Sequence, residues 1–210
     1  MTATPEAPLD VERRSRVARG LVAVGRTPVA IGRLLNAVTA ADWNPSADKP
    51  YHGAQHLLTV AGRAYEGGRA HGFTAGGCWQ LLLAGLFHDV GYREVDDDWD
   101  NIEVAVAALR RAHSEELLKP GTAADVDAAQ LLIESTCYPY RRPSQSLAES
   151  ILRDADLMQS LEKDAPRWMA GLAAETGQPV TPASTRAFIE RTGLHTEWAR
   201  SIFRRAGYAD

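Results

Sequence analysis

Cysteine is scarce in this 210-residue chain, which contains only Cys78 and Cys137 and no CxxC pair. Two cysteines exclude a disulfide framework and a cysteine-only zinc site, and we expect both to be reduced. The longest apolar run, Trp79 to Phe87, is far shorter than the roughly 20 residues that cross a bilayer. The N-terminus also lacks a basic start followed by an apolar stretch. We therefore predict a cytoplasmic protein that does not associate with membranes.

Positive charge is also limited, because 23 Lys and Arg residues face 27 Asp and Glu residues, for a net charge of −4. No broad basic surface is available, so we do not expect long nucleic acid as a partner. The chain contains neither a GxxxxGK[ST] phosphate loop nor a GxSxG elbow. The sequence therefore lacks the motifs on which kinase-like and serine-hydrolase mechanisms depend.

Strand signals are nearly missing, since no stretch alternates apolar and polar residues over six or more positions. Apolar residues instead recur at helical spacing, which predicts an all-α, compact, single-domain helical bundle. Residues 1–40 are predicted to form a helical hairpin packed on the core, 41–165 the core itself, and 166–210 C-terminal helices of the same domain. The predicted helices cover 11–24, 29–40, 52–66, 74–89, 101–118, 123–136, 146–161, and 182 to the end with a break near Gly193.

Two of the six histidines, His52 and His56, are four residues apart. On a helix this spacing places both imidazoles on one face, where they could bind one metal. The zinc-protease pattern needs a glutamate directly after the first histidine, and Gly53 occupies that position, so this reading is excluded. Taken alone, such a pair is more typical of structural or surface histidines, and a metal site needs further ligands.

Further ligands are suggested where His88 and Asp89 stand together at the end of an apolar segment. A carboxylate beside a buried imidazole must be paired, and a divalent cation would satisfy both groups. Alternatively, His88 interacts with the helix dipole and Asp89 is solvated. Asp154 and Asp156 lie in a second apolar segment, and on a helix they point roughly 200° apart. Only one of these two carboxylates is therefore expected to be a ligand.

The order Tyr-His-x-x-x-His, Phe-His-Asp and Asp-Ala-Asp-Leu, over residues 50–160, resembles the HD-domain superfamily of metal-dependent phosphohydrolases. Small predicted hydrolases of this type also have a tyrosine, an acidic loop and an Asn-x-Glu segment after the His-Asp pair. Here Tyr92, residues 96–98 and residues 101–103 match that pattern. The ligands implied by the resemblance are His56, His88, Asp89 and Asp156, with Asp154 as the fallback. The Tyr-His start is similar to that of cyclic-nucleotide phosphodiesterases, which implies that His52 is the general acid.

Other residues are predicted around this centre. Asp89, together with Glu103 or a carboxylate of the 94–100 loop, would take part in catalysis by holding or activating water. Arg141 and Arg142 could bind phosphate or simply solubilise a loop, and Tyr92, Tyr138 or Tyr140 could stack on a base. A second metal is not expected, because the only histidine between the His-Asp pair and Asp156 is His113. We expect surface positions for His113, His71 and His195.

These residues predict hydrolysis of a small-molecule phosphate ester, with a nucleotide favoured. The cofactor would be one divalent ion, and Mn, Fe, Co, Ni, Zn and Mg all suit a mixed histidine and carboxylate site to some degree. A di-iron oxygenase and a non-catalytic ligand-binding module are the alternatives. Either a monomer or a homodimer is compatible with the sequence.

Overall fold

The computed structural model describes residues 8–207, which form ten α-helices and one 3₁₀ turn. No strand occurs within that range, so the all-α prediction is confirmed. Residues 1–7 of the predicted N-terminal segment and residues 208–210 of the predicted C-terminal segment lie outside the described residues. The elements are α1 (Pro8–Ala23), α2 (Pro28–Thr39), α3 (Ala54–Ala70), α4 (Ala75–Phe87), α5 (Trp99–Ser114), α6 (Ala123–Glu134), α7 (Leu147–Leu157), the 3₁₀ turn (Met158–Leu161), α8 (Ala165–Thr176), α9 (Pro182–Thr192) and α10 (Glu197–Arg205).

A serine or threonine directly precedes most of these helices. The Ser or Thr directly before the helix accepts a hydrogen bond from a backbone N–H of the first turn, which would otherwise have no partner. Proline follows directly in α2 and α9, where its missing N–H costs nothing. The six residues that cap in this way are Thr27, Thr74, Thr122, Ser146, Thr181 and Thr196.

The apolar run of the sequence becomes the central helix, α4, which is buried along nearly its whole length. It packs most closely on α3 at Gly85, where an added Cβ would lie 2.6 Å from the Cα of Ala61. Only glycine allows the two backbones to approach so closely. Buried side chains of α1, α2, α5, α6 and α7 surround this pair in one continuous apolar core.

The N-terminal hairpin is attached to the bundle by Arg13, whose side chain is only 3% exposed. Its Nε donates to Thr59 Oγ1 of α3 at 3.0 Å, and its other nitrogens bind Asp10 at 3.3 Å and Asp164 at 2.5 Å. A smaller apolar cluster joins α9 and α10 to the end of α7. The chain is therefore one compact all-α domain.

The bounds of most helices differ from the predicted ranges by up to four residues, and two differences bear on the site. The helix α3 begins at Ala54 rather than at residue 52, because Gly53 is its cap and has an extended backbone. The helix α8 was not predicted individually, although it lies in the segment expected to hold C-terminal helices. Between residues 8 and 207, none of the helices is both long and apolar enough to cross a membrane.

Candidate metal centre

Two buried imidazoles form the middle of the site. His56 comes from the first turn of α3, and His88 caps the C-terminal end of α4. Their side chains are 0% and 1% exposed, and the two Nε2 atoms lie 3.1 Å apart.

The other ring nitrogens show which atoms are free to bind a cation. His88 Nδ1–H donates to the carbonyl oxygen of Gly85 at 3.0 Å, and His56 Nδ1–H donates to Gln159 Oε1. Each neutral ring therefore has its lone pair on Nε2, and these two lone pairs face each other. Such an arrangement is repulsive unless a proton or a metal ion lies between the rings, and a fixed Nδ1–H tautomer is typical of metal-binding histidine.

Two carboxylates approach the same point. Asp156 Oδ1 lies 3.1 Å from His56 Nε2 and 3.6 Å from His88 Nε2. Asp89 Oδ2 lies 3.2 and 3.3 Å from the same two nitrogens. Ligands about 2.1 Å from one ion are separated by about 3.0–3.4 Å at octahedral or tetrahedral angles. His56, His88 and Asp156 thus form a group that could hold a metal ion.

The electrostatics of the centre also favour a cation between the rings. Burial alone would lower the pKa of His56, but hydrogen bonds with Asp156 and Asp89 outweigh it and raise this pKa to about 9. The pKa of His88 is raised well above its usual value by the same two carboxylates, again against burial. Burial would raise the pKa of Asp89 and of Asp156, yet the two histidines hold both values well below the usual range.

Geometry distinguishes Asp156 from Asp154. Asp154 points away from the centre, where Oδ1 accepts from the backbone N–H of His195 at 2.8 Å. Its Oδ2 accepts from the N–H and the hydroxyl of Thr196 at 2.8 and 2.7 Å. Asp154 therefore anchors the start of α10, and it does not serve as the fallback ligand.

His52 lies beside the centre, but the predicted reason for its position was wrong. Because Gly53 is extended, His52 stands before α3 and does not share a helix face with His56. The two ring centroids are nevertheless 5.9 Å apart. The His52 ring stacks on Tyr92 at 3.6 Å, with 16° between the ring planes.

Glu175 of α8 holds His52 in place and was missed at the sequence level. His52 Nδ1–H donates to Glu175 Oε2 at 2.7 Å, while Oε1 accepts from the backbone N–H groups of Tyr51 and His52 at 2.6 and 3.1 Å. Burial would raise the pKa of Glu175, but these hydrogen bonds and the His52 charge lower it. No local pattern links residues 123 positions apart, so the sequence offered no signal for this pair.

The turn after α4 is braced by the loop before α3. Gly91 has a φ of +77°, and its N–H donates to Asn44 Oδ1 at 3.1 Å and to Ser46 Oγ at 3.0 Å. Ser46 Oγ also donates to the Asp89 carbonyl at 3.2 Å. These buried contacts fix the backbone that presents His88 and Asp89.

A cavity of about 750 Å³ opens from the centre. The predicted aromatic residues Tyr92 and Tyr138 line it, and α9 forms its outer wall. The residues of the centre and their neighbours that line the cavity are Tyr51, His52, His88, Asp89, Tyr92 and Asp156. The other lining residues are Val95, Asp96, Asp98, Asn101, Thr136, Tyr138, Leu157, Ser160, Leu172, Thr176, Val180, Ser184, Thr185, Ala187, Phe188, Ile189 and Arg191.

Of the acidic candidates near the cavity, Asp98 lines it and Glu103 does not. Glu103 is exposed on α5, where its Oε1 accepts from Trp99 Nε1 at 3.1 Å. Asp98 Oδ2 accepts from the Tyr138 N–H at 2.8 Å. Burial raises the pKa of Asp98, and the charges of Asp89 and Asp156 raise it further. Asp98 is thus the acidic-loop residue suited to accept a proton near the centre.

The two arginines predicted to bind phosphate do not line the cavity. Arg141 binds both oxygens of Asp97 at 2.7 and 2.8 Å. Arg142 binds both oxygens of Glu149 at 2.7 and 3.0 Å. Because acidic partners already occupy both guanidinium groups, these residues stabilise the 138–144 loop.

The other histidines also lie outside the cavity lining. His71 Nδ1–H donates to the Gly67 carbonyl at 2.8 Å at the end of α3. His113 is partly exposed near the end of α5. His195, like His71 and His113, is partly exposed, and burial lowers its pKa.

Comparisons of the chain with models of known protein families, with curated proteins and with solved structures find no match. Function must therefore be inferred from the geometry of the site.

Proposed function

We propose that this chain is a metal-dependent phosphohydrolase of the HD-domain superfamily that acts on small phosphate esters. The observation that carries the proposal is the pair of buried Nε2 atoms 3.1 Å apart, with two carboxylates within 3.6 Å of them. The Nδ1–H tautomer of each ring is held by a neighbouring carbonyl oxygen, as in most histidines that bind metals.

His56, His88, Asp89 and Asp156 would hold one divalent ion, for which Mn, Fe, Co, Ni, Zn and Mg are all candidates. Such an ion supplies Lewis acidity, which activates water and neutralises charge on phosphoryl oxygens. The donor set fits this role because it combines imidazole and carboxylate ligands and borders an open cavity.

His52 and Glu175 are suited to the departure of the alcohol. Since Glu175 accepts the Nδ1–H of His52, the second ring nitrogen, Nε2, is the one that can donate a proton to the leaving oxygen. The Glu175 carboxylate would orient the His52 ring for this step. Asp98, with its raised pKa, would accept the proton of the attacking water.

A nucleotide is the favoured substrate class, because the cavity is of a size typical for small-molecule sites and contains aromatic side chains that can stack on a base. Tyr138 would serve this role, and Phe188 of α9 adds a ring 5.3 Å from that of Tyr138. One face of the Tyr92 ring is already covered by His52, so Tyr92 would use its other face.

The test combines metal analysis with a phosphatase and phosphodiesterase screen of the purified protein. We expect about one equivalent of metal per chain and metal-stimulated phosphate release. His88→Ala should remove both, whereas His113→Ala, outside the cavity, should change neither. Ligand binding without turnover would contradict the proposal in favour of a binding module. Oxygen consumption by the iron-loaded protein without phosphate release would indicate the oxygenase alternative.

A further inference from the structure

The charges that line the cavity are unevenly distributed. Among residues 8–207, four carboxylates line it, from Asp89, Asp96, Asp98 and Asp156, but only one lysine or arginine does, Arg191 near the end of α9. A divalent ion at the metal centre would offset two of the four negative charges. The remaining lining would still repel an anion that lies away from both the metal ion and Arg191.

Arg191 has no acidic partner in the part of the chain that the structure describes. No carboxylate oxygen within residues 8–207 forms an ion pair with it, in contrast to Arg141 and Arg142. Its guanidinium lies over the ring of Phe188, 5.6 Å from the centroid, and Phe188 also lines the cavity. The donors of Arg191 are therefore available to a ligand.

A second arginine of the same helix, Arg186, has a backbone hydrogen-bond partner and lies outside the cavity lining. Arg186 Nη2 donates to the carbonyl oxygen of Gly207 at 3.0 Å, and Arg186 does not line the cavity. The two arginines share a helix and differ in whether they face the cavity, which makes Arg186 a matched control.

We infer that Arg191 binds a second anionic group of the substrate, so that the alcohol released by hydrolysis itself carries a phosphate or a carboxylate. This inference rests on the proposed function, because the first phosphate must lie at the metal centre. The carbon body between the two anionic groups would lie along the apolar wall formed by Leu172, Val180 and Phe188. Arg191 is exposed, so an ester with only one anionic group would leave its guanidinium bonded to water alone. Such an ester would lack this charge-assisted pair and so would bind more weakly.

Non-hydrolysable ligands test this inference without relying on turnover. Alkyl phosphonates of increasing chain length, each ending in either a carboxylate or a carboxamide, would be titrated calorimetrically into the metal-loaded protein. At the chain length that spans the cavity, we expect the carboxylate to bind about tenfold more tightly than the carboxamide, as for one charge-assisted hydrogen-bonded pair. Arg191→Gln should remove this preference, and Arg186→Gln should keep it. Circular dichroism would verify that both variants remain folded.

The outcomes separate this inference from the proposed function. If the phosphonates bind but no chain length shows a carboxylate preference that Arg191→Gln removes, the role of Arg191 is refuted and the metal centre stands. If no phosphonate binds the metal-loaded protein, both proposals are overturned.

Discussion

At the scale of single residues, the direction of each side chain decides whether it serves the site or the fold. Asp154 and Asp156 are neighbours on one helix turn, yet the first caps α10 and the second faces the two histidines. Helical geometry predicts that only one can be a ligand. The sequence alone cannot say which, because that depends on where α10 and α3 pack around α7.

Substitution of these two aspartates should therefore give opposite results. Asp156→Asn should weaken metal binding by about 100-fold, because it removes a charged ligand. Asp154→Asn should leave metal affinity unchanged and lower the free energy of unfolding by about 1–3 kcal/mol, since its amide would meet backbone N–H donors. Metal titration and urea denaturation of both variants would measure these effects. Loss of metal binding in Asp154→Asn alone would reverse the assignment.

The contribution of Glu175 to the stability of the fold should depend on pH. Its pKa is lowered in the folded protein, against burial, by hydrogen bonds from His52 and Tyr51. A lowered carboxylate pKa adds stability above the unfolded value, near 4.5, and this stability is lost as the pH falls through the folded value. Glu175→Gln should therefore be less stable than the parent by about 1 kcal/mol at neutral pH.

The difference between the two proteins should shrink as the pH falls below about 4.5, which urea denaturation over a pH series would show. Glu103→Gln, at an exposed position, serves as the control and should follow the parent at every pH. A constant difference between Glu175→Gln and the parent would mean that the carboxylate charge has no part in the effect.

At the scale of helices, the site depends on how closely α3 and α4 approach. Gly85 allows the two backbones to touch, and its carbonyl oxygen also accepts the His88 Nδ1–H. Gly85 therefore affects both the packing of α3 on α4 and the orientation of the His88 ring.

Gly85→Ala should destabilise the protein by about 1–3 kcal/mol, because the new Cβ meets backbone atoms of Ala61 that cannot rotate away. Gly32→Ala in α2 has open space around the new Cβ, and it should stabilise by about 0.4–1 kcal/mol. Urea midpoints of the two variants provide the comparison. Equal effects would show that helix propensity, not close packing, determines the result at Gly85.

The helices differ in how well the sequence predicts them. The apolar run of α4 is a local pattern, and the helix predicted from it is confirmed. The helix α2 was predicted over 29–40 and begins one residue earlier, at Pro28. The helix α8 has few apolar residues buried, so its periodicity is weak, and the role of Glu175 could not be inferred without it. Likewise, the extended Gly53 could not be distinguished from a helical residue by the spacing of His52 and His56.

At the scale of the whole molecule, the centre joins distant parts of the chain. His56 is in α3, His88 and Asp89 follow α4, and Asp156 is at the end of α7. These four side chains come together only when the core is formed, because α3 and α4 pack on each other and α7 packs on α3. A ligand that binds only this folded arrangement must stabilise it.

Metal should accordingly raise the thermal stability of the protein. An ion at about 100 times its dissociation constant adds about 2.7 kcal/mol, which raises the melting temperature of a chain of this size by about 5–10 °C. Scanning calorimetry with added metal and with a chelator would measure the shift. His113→Ala should retain it and His88→Ala should lose it, because only His88 contributes to the centre. A melting temperature that does not respond to either metal or chelator would mean that protons, not a metal ion, stabilise the facing imidazoles.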